Sequence, residues 1–191
     1  MALPKRKLML KERPRQKMLT RARGHGNDAA FAAMAINARL GQSALGGWMG
    51  LSALNFRTLM KRHFPGARLP VGVRSCRARP KARSLEWDEL RHLLLSHRAG
   101  RDLSEIHMAE IVCTACLGSN HLWEDLGLFN RKELTALMRR NFPTLAARNV
   151  KDMKWKKFLY KQLCIMEGIY VCRAPSCEEC ADYDVCFGPE E

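Results

Sequence analysis

Four of this chain's eight cysteines fall in one fifteen-residue stretch, Cys172, Cys177, Cys180 and Cys186, spaced C-x4-C-x2-C-x5-C. Thiolates are soft donors, and four on one short loop can wrap a single metal centre. Structural zinc sites more often use two cysteine pairs parted by a longer insert. Compact runs with uneven short gaps are more typical of iron–sulfur ligation, where one loop reaches round a bulky cluster. The spacing therefore favours an iron–sulfur type of cluster over zinc but leaves the metal open. A pair of disulfides and four inert thiols are the competing readings. Glu178, Glu179, Asp182, Asp184, Glu190 and Glu191 surround these thiols, with only Arg173 opposing them. Nearby carboxylates raise thiol pKa and disfavour adding an electron to an anionic cluster. A bound metal core must then supply the compensating positive charge.

Cys116, His121 and Cys164 are candidate accessory ligands. Cys113 and Cys116 precede His121 in a C-x2-C-x4-H arrangement, which could hold a second metal or lend donors to the first. Both cysteines also fall on an apolar helical face, where a thiol behaves as a small hydrophobe. His121 before Leu122 and Trp123 reads equally as an exposed or capping residue. Cys164 lies three residues after Lys161, on the side of a helix lined by Lys154, Lys157 and Lys161. That neighbourhood favours a thiolate, and the lysine stripe could attract molybdate or an acidic partner, although a solvated face has the same pattern. Cys76 reads as incidental. No Gly-rich phosphate loop or Ser/His/Asp arrangement stands out, so no enzyme is nominated.

The elements that must hold these residues read as helices throughout. Asp28 to Leu40 places Phe31, Met34, Ala35 and Ala38 at helical spacing, and Gly41 stops it. Ser52 caps a helix ended by Phe64-Pro65-Gly66, and Ser84 opens one that runs towards Gly100. Asp102 or Ser104 caps the next, to Gly118. Asn130 with Glu133 makes a capping-box start to a helix ended by Phe142-Pro143, and Asn149 caps the last long helix, closed by Gly168. No stretch alternates with period two. The fold class expected is all-α.

An internal echo organises this bundle. Leu59-Met60-Lys61-Arg62-His63-Phe64-Pro65 returns 78 residues later as Leu137-Met138-Arg139-Arg140-Asn141-Phe142-Pro143. Leu40-Gly41 returns as Leu117-Gly118, and Trp48 with Gly50-Leu51 as Trp123 with Gly127-Leu128. Two related helical hairpins packed together would bury both Trp and both Phe. The expected layout is a basic disordered arm over 1–26 and a single helical domain over 27–191. Within it lie a first hairpin repeat (27–66), a basic linker (67–83), a second helical part (84–168) and a cysteine-cluster loop (169–191).

At 191 residues and 47% hydrophobic composition the chain can bury an ordinary core. Its net charge of +14 resides wholly in residues 1–23, at +8, and 68–83, at +6. Such arms bind acidic partners nonspecifically, but no aromatic platform or recognition motif marks nucleic acid as a partner. No apolar run approaches a membrane span, and no secretory h-region is visible. The expected compartment is cytoplasmic, where reduced cysteines point to metal.

Taken together, EIV (Glu110–Val112), CLGSNHLWEDLGL (Cys116–Leu128), MKWKKFLY (Met153–Tyr160) and the cysteine run ending CFGPEE (Cys186–Glu191) closely resemble the NifQ family of nitrogen fixation. The resemblance covers about residues 28–191 and is strongest from 107 onward. It implies an iron–sulfur protein that carries molybdenum in a Mo–Fe–S cluster and hands it to the machinery assembling the iron–molybdenum cofactor of nitrogenase. By that likeness Cys172, Cys177, Cys180 and Cys186 match the cluster-binding motif, and scaffold and reductase components of cofactor assembly are the expected partners. The competing functions are a zinc-stapled helical module with nucleic-acid-contacting arms and a plain Fe–S redox sensor.

Overall fold

A computed structural model of the chain describes residues 5–69, 85–166, 168 and 183–190. Every regular element among them is helical: α1 Lys5–Leu19, α2 Asp28–Arg39, α3 Ala53–His63, α4 Leu85–Ser96, α5 Ser104–Cys116, α6 Leu122–Leu126, α7 Arg131–Asn141, α8 Pro143–Ala146, α9 Trp155–Met166 and α10 Tyr183–Phe187. The all-α class is as the residue pattern requires. None of these helices is long and apolar enough to cross a membrane. The cysteine loop lies outside the described residues apart from 183–190, and so does most of the basic linker.

α5 is the centre of the bundle. Met108, Ala109, Ile111, Val112, Cys113, Ala115 and Cys116 are all buried, a continuous apolar surface that only a helix enclosed by neighbours can carry. α4 and α6 pack on it, α9 packs on α4, and α7 on α6. α2 is enclosed in the same way through Phe31, Ala32, Ala33, Met34, Ala35 and Ile36. One contiguous core runs from Met18 to Leu163.

The amino-terminal segment departs from expectation. Its charge density and two prolines read as a disordered arm, yet Lys5–Leu19 is helical with Pro14 inside and packs on α2. Met18 is buried in the common core. Arg15 sits over the Phe129 ring, 4.7 Å from its centroid, while its Nη2 donates to Glu133 Oε1 at 3.3 Å. An arginine guanidinium stacked over an aromatic ring gives this helix a tertiary hold that local composition does not reveal.

The two hairpins are matched in geometry. Ser52 accepts from Asn55 N at 3.1 Å to cap α3, and Asn130 accepts from Glu133 N at 2.9 Å to cap α7. Both helices end alike, at Phe64 (φ −137, ψ 63) and Phe142 (φ −135, ψ 58). Their packing is reciprocal as well. Gly50 and Gly127 both have φ of 75°. A Cβ on Gly50 would lie 2.6 Å from Thr114 of α5, and one on Gly127 would lie 2.7 Å from Asn37 of α2. Gly127 follows Gly50 by 77 residues, and Thr114 follows Asn37 by the same 77. Each repeat's glycine turn thus presses against the first helix of the other, the exchange expected of a pseudo-twofold pair.

The aromatic residues split. Phe64 and Phe142 are buried, as the hairpin packing requires, but Trp48 is 42% exposed and Trp123 is half-buried. Trp48 stands on a turn, whereas Trp123 belongs to α6 and packs partly buried against the core. Neither ring is fully buried, as two packed hairpins were expected to make them.

At the end of α3, buried His63 bonds Asp28 of α2 (Nδ1 to Oδ1, 2.6 Å) and lies edge-on to His25 and Phe31. Burial pushes the His63 imidazole below its ordinary value, against the pull of Asp28, and His107 is likewise lowered first by burial. Near Asp102, burial acts upward, but hydrogen bonds from Arg62 and Ser104 hold the carboxyl well below the usual range. The unfolded chain takes up protons on these two histidines at about pH 6.5 while the fold still resists them. Stability should therefore fall as pH drops below about 6.5 and level off once the folded histidines titrate. Urea midpoints measured from pH 7.5 to 5 check this, and His63→Asn, which copies the second repeat's Asn141, should flatten the slope. An unchanged slope in that variant would rule out His63 as its source.

Candidate metal centre

The carboxyl-terminal thiol that the structure describes is held by the start of α9. Cys186 is a half-buried free thiol on α10. Lys154, the residue before α9, donates its backbone N–H to Cys186 O at 2.8 Å and its Nζ to Asp184 O at 3.0 Å. Cys186 and Phe187 pack against the core. One lysine thus secures two carbonyls of α10 by backbone and side chain, which fixes this helix more firmly than either bond alone.

Facing α10 is the loop between α5 and α6. Asp125 of α6 accepts from Asn120 N at 3.0 Å and Asn120 Nδ2 at 3.3 Å, and it is ion-paired with Lys156 of α9. Lys156 Nζ also donates to Gly118 O at 2.8 Å and Asn120 O at 2.6 Å. A Cβ at Gly118 would lie 2.4 Å from the Asp125 carboxylate, so glycine is what lets the loop approach. His121 then begins α6, its N–H bonded to Glu124 Oε2 at 3.1 Å.

Between these walls is an open cleft of about 700 Å³. Lys154, Lys156, Lys157, His121, Asp184 and Glu190 are among its lining residues. It offers an imidazole and carboxylates as harder donors, with ammonium groups that would offset an anionic metal–sulfide core; α10 contributes Asp184 and Val185 to its wall, while Cys186 packs against the core.

The candidate accessory ligands separate. His121 lies in the cleft, and its Nδ1 is 3.8 Å from Glu190 Oε1. Cys116 is buried in α5; burial pushes its thiol up to about 12, with Lys156 drawing it down and Asp125 raising it. Burial raises Cys113 further still. Both are protonated core thiols in this conformation. Cys164 is half-buried on α9, about 15 Å along the helix axis from Lys154. Cys172, Cys177 and Cys180 lie outside the described residues. Among those described, no group of three or more His, Cys, Asp or Glu is placed to hold a metal ion, so a complete thiolate shell would have to draw on the cysteine loop.

Arg131 and the Asp125–Lys156 clamp were not singled out from the sequence, and Glu190 was named only among the acids around the thiols. Their partners are distant along the chain, and no local spacing announces such pairs.

The family model for NifQ matches residues 30–188. The chain belongs to the NifQ family. Protein NifQ of Azotobacter vinelandii is 48% identical over 162 residues, covering 80% of this chain and 83% of that protein. A NifQ homolog of Sinorhizobium fredii is 41% identical over 142 residues, 74% of this chain and 61% of its own length. Protein NifQ of Rhodobacter capsulatus is 35% identical over 144 residues, 74% and 77% of the two chains. No solved structure matches the chain. NifQ membership places it in nitrogen fixation, as the cysteine run and its flanking motifs had implied, and the matched span includes all four cysteines of that run.

Proposed function

We propose that this NifQ-family chain carries molybdenum, bound with iron and sulfide on Cys172, Cys177, Cys180 and Cys186, and supplies it for assembly of the iron–molybdenum cofactor of nitrogenase. The observation that carries this reading is the four-cysteine run inside the family-matched segment. The docking of Cys186 beside a cleft with cationic and imidazole lining supports it.

Thiolates and sulfides hold iron and molybdenum firmly, yet a donor must also let go. Ligands gathered on one short stretch of chain can exchange without unfolding the body that carries them. Delivery is then thiolate-for-thiolate ligand exchange with an assembly scaffold, in which no net electron transfer is required. Molybdate is the expected source of the metal, the cytoplasm the expected compartment, and a carrier the expected role.

Replacing Cys177 and Cys180 together by alanine should remove bound iron, molybdenum and the brown colour from anaerobically purified protein. Retention of iron and sulfide at the wild-type ratio in that double variant would refute the ligand assignment. Stoichiometric zinc with no labile sulfide in the wild-type chain would favour a zinc-stapled module instead.

A further inference from the structure

We infer that Glu190 and Arg131 form a releasable clasp that docks the Cys186 helix on the bundle and governs how readily its thiol leaves the site. The inference deepens the proposed carrier role and rests on it only for the link between the clasp and bound metal.

α10 is fastened at both ends. Lys154 holds the carbonyls of Asp184 and Cys186. Beyond Cys186, Glu190 turns back to the body, its side chain only 4% exposed. Its Oε1 is 3.6 Å from Arg131 Nη1 and 3.8 Å from His121 Nδ1. The Lys154 end is an ordinary pair of hydrogen bonds. The Glu190 end is different.

That carboxylate is buried but poorly paired. Neither distance is that of a good hydrogen bond, and Glu190 Oε2 has no hydrogen-bond partner among the described residues. Arg131 is engaged elsewhere: its Nη2 donates to Asp152 O at 2.5 Å and Met153 O at 3.2 Å. Its Nε is buried with no hydrogen-bond partner among the described residues. At these distances the attraction to Arg131 and His121 exceeds what burial costs the charge by only a small margin. The closed position is therefore close in free energy to an open one in which the carboxylate regains water. Such a contact suits a fastening that must open. Arg131 and Glu190 are positioning residues here, since nothing places either on the metal itself.

The test uses the full-length apo protein and Glu190→Gln, which keeps the side chain's size and removes its charge. The readout is alkylation of Cys186 by iodoacetamide, followed by peptide mass, with core Cys113 as internal control. Hydrogen exchange over 183–190 is measured in parallel. Glu190→Gln should alkylate at Cys186 at least threefold faster and exchange faster across α10, with Cys113 unchanged. Arg131→Lys should fall between wild type and Glu190→Gln. Equal Cys186 rates in wild type and Glu190→Gln would overturn the clasp, and a parallel rise at Cys113 would assign the effect to global loosening and overturn it too.

A second arm loads the protein anaerobically and follows iron loss to a chelator, expected to accelerate by a similar factor in Glu190→Gln. Unchanged iron loss together with faster alkylation would overturn the link to release and leave the carrier reading intact. Absence of iron from loaded wild type would instead refute the carrier reading, and the alkylation arm would still decide the clasp.

Discussion

Asp125→Ala should lower folding stability by about 3–5 kcal/mol, the range for removing one partner of a buried ion pair. The carboxylate side chain is 2% exposed and that of Lys156 is 18% exposed, so the loss is little screened by water. Removing Asp125 strands the Lys156 ammonium among the carbonyls of Gly118 and Asn120 and leaves Asn120 N without its acceptor. It also frees the loop that forms one wall of the cleft. Urea unfolding followed by circular dichroism gives the number. Adding Lys156→Met to Asp125→Ala should recover part of the loss, because the stranded charge goes too. A single-variant loss below about 1 kcal/mol would place the pair in the ordinary surface class.

Phe142→Ala should cost about 3–5 kcal/mol, and Phe64→Ala a matching amount, from lost burial and the cavity left behind. Both rings are fully enclosed, and both close a helix with nearly the same backbone angles. The pseudo-twofold packing requires similar costs at equivalent positions. The polar contacts next to the rings differ, since Asn141 exchanges hydrogen bonds with Asn27 of the other repeat (2.6 and 3.0 Å) while His63 meets Asp28 of its own. Chemical denaturation of the two alanine variants decides it. If one loss were under a third of the other, the hairpins would be alike in sequence but not in the packing that supports them.

Much of the helical layout was legible because its signals are contiguous. Ser52 and Asn130 act as caps where their residue types place them, and Phe-Pro closes both α3 and α7. Asn149 behaves less simply: it closes a turn on Met153 N and O, and α9 begins only at Trp155. The helix expected to run towards Gly100 stops at Ser96, because the intervening residues join a turn in which Glu105 gathers the N–H groups of Gly100, Arg101 and Asp102. In α1 the error came from reading composition alone, which misses the dock that Arg15 and Met18 make on distant residues.

By itself the order of residues determined the all-helical class, the repeat and the thiol spacing, since each is written in neighbours a few positions apart. The family follows from the same strings. Only the folded chain decided that His121 and Glu190 share a cleft beside α10, that Cys116 is shut in the core, and that Cys164 stands well along α9. Those outcomes depend on which helix faces meet, and pairings such as Arg131 with Glu190 or Asp125 with Lys156 arise from that closure. Local periodicity has no term for a contact between segments tens of residues apart.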